Sequence, residues 1–245
     1  MDKRKWLALL NEKYEGEYRK VYKAIIEKEE VEDKEIKEKY ITLFDEAYPK
    51  EFCALKYPPF ILYYAGDLSL LKKRKITIVG TREPSLYGKR MVKTIVEESD
   101  EELAIVSGLA KGIDAYAHMF SLDRKKTIGI IGNGLDRIYP KENKKLYERM
   151  KKEHLILSEY PSHVSAKKGH FPWRNRLLAA LAEKVIVVEA KRKSGTMHTV
   201  EYALDLGKDI YCVPHHYGEL VGEGCNKLIE EGAIPLYDLE QIRHL

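Results

Sequence analysis

The chain has 245 residues, 44% hydrophobic and 33% charged, with a net charge of +4, which fits one large domain or one domain with an appendage of about 50–70 residues. Three widely spaced cysteines without a CxxC argue against a disulfide framework or a cysteine zinc site. No apolar run approaches the ~18 residues of a membrane span, and the opening MDKRKWLALLNEKYEGE turns charged too early for a secretory signal, so a cytoplasmic protein without membrane contact is expected.

Residues 1–47 are rich in Lys and Glu. Apolar residues recur at helical spacing, at Trp6, Leu9 and Leu10 and again at Val21, Ala24 and Ile25. The pattern predicts two or three short amphipathic helices in an N-terminal helical segment. Runs such as EKEEVEDKEIKEK from Glu27 read as solvated faces. Residues 48–70 hold Pro49, Pro58 and Pro59, which break helices and favour extended chain. This stretch reads as a connector packed on the domain that follows, so the division falls at 47/48, with one domain over 48–245.

From Lys75 short apolar runs recur: ITIV (76–79), AIV (104–106), TIGII (127–131), LIL (155–157), VIVV (185–188) and IYCV (210–213). Turn residues and helical stretches separate them. Strands joined by helices imply right-handed crossovers and a doubly wound, mostly parallel α/β sheet of about six strands. A short helix near 225–231 and the terminal DLEQIRHL complete the chain.

In such a sheet, ligands bind at the carboxyl ends of the strands, where strand order reverses. After the first run, Gly80-Thr81-Arg82 joins a glycine that permits close approach to a guanidinium fork suited to phosphate. After the second, Ser107 and Gly108 lead through Lys111 to a helix, as a backbone nest for an anion. Asp114 and His118, four apart, read as a structural pair on that helix. After the third, Gly132-Asn133-Gly134 starts a dinucleotide fingerprint, but Arg137 stands where its last glycine belongs. No GxxxxGK[ST] occurs.

After the fourth run, Lys168 precedes FPWRNRLLAAL, in which Phe171, Arg174, Asn175 and Arg176 crowd together. Cations interleaved with aromatics compose a single-strand platform, charges on phosphates and rings on bases. The alternative is that Phe171 and Trp173 anchor the core while the arginines pair with Glu159 or Glu189. Pro172 favours an extended Phe171 with its ring turned to a base, and Asn175 holds the loop through backbone hydrogen bonds. Two arginines two apart project differently, one to the strand and one to an acid. After the fifth run, Ser194-Gly195-Thr196 opens a helix whose N–H groups suit an anion, or whose hydroxyls merely cap it. One such site suits one phosphate; a row of them suits a polymer. No catalytic residue, metal or cofactor is expected.

IVGTREPSLYG, IVSGLAKGIDAYAH, TIGIIGNGLDRIYPKEN, LILSEYP, FPWRNRLLAAL, VIVVEAKRKSGTMHTVEYAL and VPHHYGELVGEGCNKLIEEGA resemble, in order and spacing, the motifs of the DNA-processing protein A family (DprA/Smf). The resemblance covers about residues 48–236. It implies an extended Rossmann-like fold that binds single-stranded DNA, protects it during natural transformation and assists loading of the RecA recombinase, as a homodimer and without enzymatic activity. It assigns the DNA-contacting role to Arg82, to Ser107 and Gly108, and to Phe171, Arg174, Asn175 and Arg176, with Lys168 in their basic approach. Val200 stands where the family has Ala, and His215 follows Pro214 where Gly is common. The chain stops at Leu245, so the C-terminal winged helix of many members is not expected in it. The competing reading is a nucleotide-binding or nucleotide-hydrolysing enzyme of the LOG-like class, whose PGGxGTxxE loop corresponds to SGTMHTVEY here, with Tyr202 at the Glu position and Glu201 beside it.

Overall fold

The computed structural model describes residues 1–245. Two helices open the chain, α1 (Lys3–Lys13) and α2 (Tyr18–Ile26). They are bound to the rest of the molecule. Ala8 is buried with Tyr63 and Tyr147, and the Asn11 amide donates to the Glu159 carbonyl at 3.0 Å.

The stretch expected to be a connector contains a strand. β2 (Ile61–Gly66) pairs antiparallel with β1 (Tyr40–Thr42) and with β6 (Leu155–Ser158). The prolines do break the chain, but just before β2; the apolar residues behind them then join the sheet. β1 precedes residue 48 and β2 follows it, yet both belong to one sheet.

The remaining strands are parallel to one another: β3 (Lys75–Val79), β4 (Ala104–Ser107), β5 (Thr127–Ile131), β6, β7 (Lys184–Val187), β8 (Asp209–Cys212) and the short β9 (Ile234–Pro235). The six apolar runs each coincide with one of them to within a residue or so. The crossovers are α3 (Leu86–Glu98), α4 (Ile113–Ser121), α5 (Lys144–Glu153), α6 (His170–Leu181), α7 (Thr196–Asp205) and α8 (Glu223–Glu230), and α9 (Leu239–Arg243) ends the chain. The result is the expected α/β class: a nine-stranded, mostly parallel, Rossmann-like sheet in the order β1-β2-β6-β5-β4-β3-β7-β8-β9.

Every residue of β3, β4, β5 and β6 is buried, because helices cover both faces. One core joins the sheet to α6, α7 and α8 through Leu177, Leu181, Val200, Ala203 and Leu228. Two others lie under the remaining helices, one with Val92 and Ile95 of α3 and Ile113 and Ala117 of α4, the other with Tyr147 and Met150 of α5. From β3 the chain adds β4, β5 and β6 outward on one side. α6 then carries it back to β7 on the other side of β3. Strand order therefore reverses between β3 and β7, and the crevice for a ligand opens there.

Candidate functional site

A groove of about 770 Å3 runs along the carboxyl edge over that reversal. The turn after β3 contributes Gly80, Thr81 and Arg82; α6 and its approach contribute Lys168, Phe171, Arg174 and Asn175; the start of α7 contributes Ser194, Gly195 and Thr196. Ten of the residues expected from the sequence thus converge. Three cations in the lining, Arg82, Lys168 and Lys191, take no part in ion pairs such as those that engage Lys111 and Arg192.

α6 starts at His170, earlier than Pro172 suggests. Proline fits a first helical turn, where no intrahelical N–H bond is lost. Phe171 is therefore helical rather than extended. Its half-buried ring still faces the groove, with the Tyr139 ring 5.3 Å away and the Arg82 guanidinium 5.9 Å from its centroid. Tyr139, 47% exposed, was not singled out from the sequence. Its signal was the exposed aromatic in the DRIYP turn after β5.

The two arginines of RNR divide their roles. Arg174 is 4% exposed. Its Nη1 donates to the Gly108 carbonyl at 2.7 Å and to the Ile130 carbonyl, and its Nε donates to Asn175 Oδ1 at 3.2 Å. It ties the ends of β4 and β5 together at the groove floor. Burial pushes its pKa down to about 10, against the opposing pull of Asp114. Burial likewise raises the Asp114 carboxyl above its usual range, and Arg174 partly offsets this. Asp114 Oδ2 accepts the Gly108 N–H at 3.1 Å. A Cβ at Gly108 would collide with the Arg174 guanidinium and with Asp114, so this position requires glycine.

Arg176 is 1% exposed and forms a bidentate pair with Glu159, at 2.7 and 2.5 Å. It also donates to the carbonyls of Tyr57 at 3.0 Å and Trp173 at 2.9 Å and lies 4.1 Å over the Trp173 ring. Its assignment to the ligand is corrected: each nitrogen of the guanidinium donates inside the protein. Ser107 is corrected likewise, being fully buried with its hydroxyl donating to the Ile78 carbonyl at 2.6 Å. Gly108 is buried under Arg174 and acts through packing. Lys111 lies outside the groove lining, on Glu142 at 2.5 Å. His118 meets Thr127 Oγ1 at 2.7 Å rather than Asp114. Asn175 donates to the Gly195 carbonyl at 3.2 Å, linking the starts of α6 and α7.

The helix starts at this edge differ. α6 and α7 follow Gly169 and Gly195, with no side chain capping either. Their first N–H groups and positive dipole ends suit anions. α3 is closed. Glu189, at the end of β7 and fully buried, accepts the Ser85 N–H at 2.8 Å, and Ser85 Oγ accepts the Gly88 N–H at 3.0 Å. A Cβ on Gly88 would come within 2.6 Å of the carboxylate. The helix start that holds pyrophosphate in dinucleotide-binding folds is filled here by the protein's own Glu189 side chain. No three His, Cys, Asp or Glu side chains lie together as a metal cluster.

These features define a Rossmann-like protein whose carboxyl edge is a groove lined by unpaired cations and aromatic rings. Residues 39–245 match the model of the DNA recombination-mediator protein A family, and the chain belongs to that family. It is 44% identical over 193 residues to the DNA processing protein DprA of Streptococcus pneumoniae (strain ATCC BAA-255 / R6), spanning 78% of this chain and 68% of that one. It is 42% identical over 205 residues to DprA of Bacillus subtilis (strain 168), spanning 82% and 69%. The X-ray structure of Streptococcus pneumoniae DprA superposes with a TM-score of 0.82 at 38% identity, covering 91% of this chain and 79% of that chain. A solved structure of Helicobacter pylori DNA processing protein A, described for its single-stranded DNA binding mode, gives 0.76 at 36% identity, covering 84% of this chain and 94% of that chain. No helix is long and apolar enough to cross a membrane.

Proposed function

We propose that this protein binds single-stranded DNA along the groove and acts in DNA processing, protecting incoming strands in natural transformation and delivering them to recombination. The observation that carries this reading is the row Tyr139–Phe171–Arg82, in which the Phe171 ring lies against a second ring and a guanidinium, beside two uncapped helix starts. Phosphates sit on Arg82, Lys168 and Lys191 and on the N–H groups of α6 and α7, while bases stack on Phe171 and Tyr139. No bond is made or broken. The protein positions and shields the strand in the cytoplasm, then yields it to the RecA recombinase. The family's description as a recombination mediator supports that partner. A homodimer fits the exposed apolar side chains Leu86, Tyr217 and Leu220, the loop of the latter two being held to α3 by the Tyr87 hydroxyl on the Pro214 carbonyl at 3.0 Å.

Nucleotide hydrolysis is the second reading, since Glu201 lies 3.3 Å from His198, which lines the groove. Against it, Glu189 already occupies the phosphate position at α3. A salt titration of binding to oligo-dT and to duplex DNA of matched length tests the proposal. Tighter binding of oligo-dT, with a linear loss on the log–log salt plot, is expected; equal affinity for the two overturns it. Release of base from a nucleoside monophosphate, abolished by Glu201→Gln, would establish the enzyme instead.

A further inference from the structure

Beside the groove lies a group of aromatic rings that the groove does not use. Tyr18 and Tyr22, one turn apart on α2, stack nearly parallel with Phe60. The ring centroids of Tyr18 and Phe60 are 4.7 Å apart at 16°, and those of Tyr22 and Phe60 are 6.4 Å apart at 19°. Trp173 and Tyr57 close the group, with Trp173 5.5 Å from Tyr18 and 5.6 Å from Tyr57. Rings that served only to anchor α2 would be hidden. Here Tyr22 is 51% exposed and Tyr57 40%.

The group adjoins the groove. Trp173 follows Pro172, which lines the groove, in the first turn of α6. Phe60 precedes β2, whose Tyr63 lies opposite Ser158 at the carboxyl end of β6. The rings therefore sit at the same sheet edge, on the neighbouring face of α6. Their charge environment also suits a polyanion. Lys56 Nζ lies 5.5 Å over the Tyr57 ring, and Arg19 is exposed beside Tyr18. The nearby acids are neutralised: Glu15 by Lys167 at 3.0 Å, Glu17 by Lys20 at 2.9 Å and Glu27 by Lys23 at 3.7 Å.

We propose that these rings form a second stacking platform, which takes bases of the same single strand as it leaves the groove past Pro172. The DNA site is then longer than the groove. The proposal rests on the single-stranded DNA reading above. Parallel rings with an exposed outer member, flanked by cations, are the arrangement to which further bases add without regard to sequence. A face meant for a protein partner would instead require one shape.

The test uses the full chain with oligo-dT of about six and about twenty nucleotides, the first within and the second beyond the ~4–16 nucleotides that a single binding module covers. A Tyr22→Ala/Tyr57→Ala variant changes two exposed rings. It should bind the short oligomer like the parent and the long one about five-fold or more weakly, the loss of one stacked base. Unchanged affinity for both, or equal losses for both, overturns the second platform. Failure of the unaltered protein to bind either oligomer would instead overturn the groove reading. A second readout does not depend on that variant. The chain has two tryptophans, so Trp6→Phe leaves Trp173 as sole reporter; its emission should be quenched more by the long oligomer than by the short one at saturation. Equal quenching, or none, counts against the proposal.

Discussion

Arg176 is the residue whose role changes most between sequence and structure, and Arg176→Met tests it. In the folded protein its guanidinium and the Glu159 carboxylate are 1% and 8% exposed as side chains and are bound in a bidentate pair. Removing the cation leaves Glu159 buried without its partner and the Tyr57 carbonyl without its donor. Breaking a buried pair from one side costs about 3–5 kcal/mol, or about 10 °C in melting temperature for a chain of this size. The partner substitution should repair much of this. Arg176→Met/Glu159→Leu replaces both charges by apolar groups, which is often near neutral. Thermal melts and urea titrations of the parent, the single and the double variant give the two differences. The double variant then serves for DNA: its salt slope on oligo-dT should equal that of the parent, because no phosphate contact was lost. A single variant of parental stability whose slope falls by about 0.7, one phosphate contact on a single strand, would refute the structural role.

Arg82→Ala alters an exposed side chain at the groove, so it should leave the melting temperature nearly unchanged and lower the oligo-dT salt slope by about 0.7; a parental slope in titrations from low to high salt would exclude a phosphate contact. Phe171→Ala should weaken oligo-dT binding by about 1–3 kcal/mol, measured by fluorescence anisotropy, with a modest change in melting temperature; a drop of many degrees with intact affinity would make the ring a core anchor. Stability should fall in mild acid. Burial holds His118 down to about 3 and lowers His154, so below pH 6.5 the unfolded chain binds protons that the folded chain refuses, and His118 alone removes about 1.4 kcal/mol per pH unit. Asp114 works in the opposite direction, since its raised pKa lets the folded state take up a proton first. His154→Phe should therefore flatten the pH dependence of the urea midpoint between neutral and mildly acid pH, and an unchanged dependence would show that His154 is not refused a proton.

What the sequence by itself determined are the features that depend on neighbours along the chain. Short β-branched runs such as ITIV and VIVV have few alternatives to a buried parallel strand, and all six such runs contain one. The glycine turns and helix starts that follow them are equally local, and chain order with right-handed crossovers brings them to one edge. Tertiary structure decided what depends on residues far apart. Arg174 and Arg176 are indistinguishable in RNR. On a helix they point about 200° apart, and only the arrival of Glu159 and Tyr57 on one side and of β4 and β5 on the other assigns one to an internal pair and the other to the groove floor. The same holds for Glu189, which closes α3 across two neighbouring strands, for Tyr139, which reaches Phe171 from the loop after β5, and for β2, whose apolar residues became a strand because β6 offered it an unpaired edge. A local pattern specifies which backbone a segment favours. It does not specify which distant group will meet a side chain there, and burial, charge pairing and access to a ligand are set by that meeting.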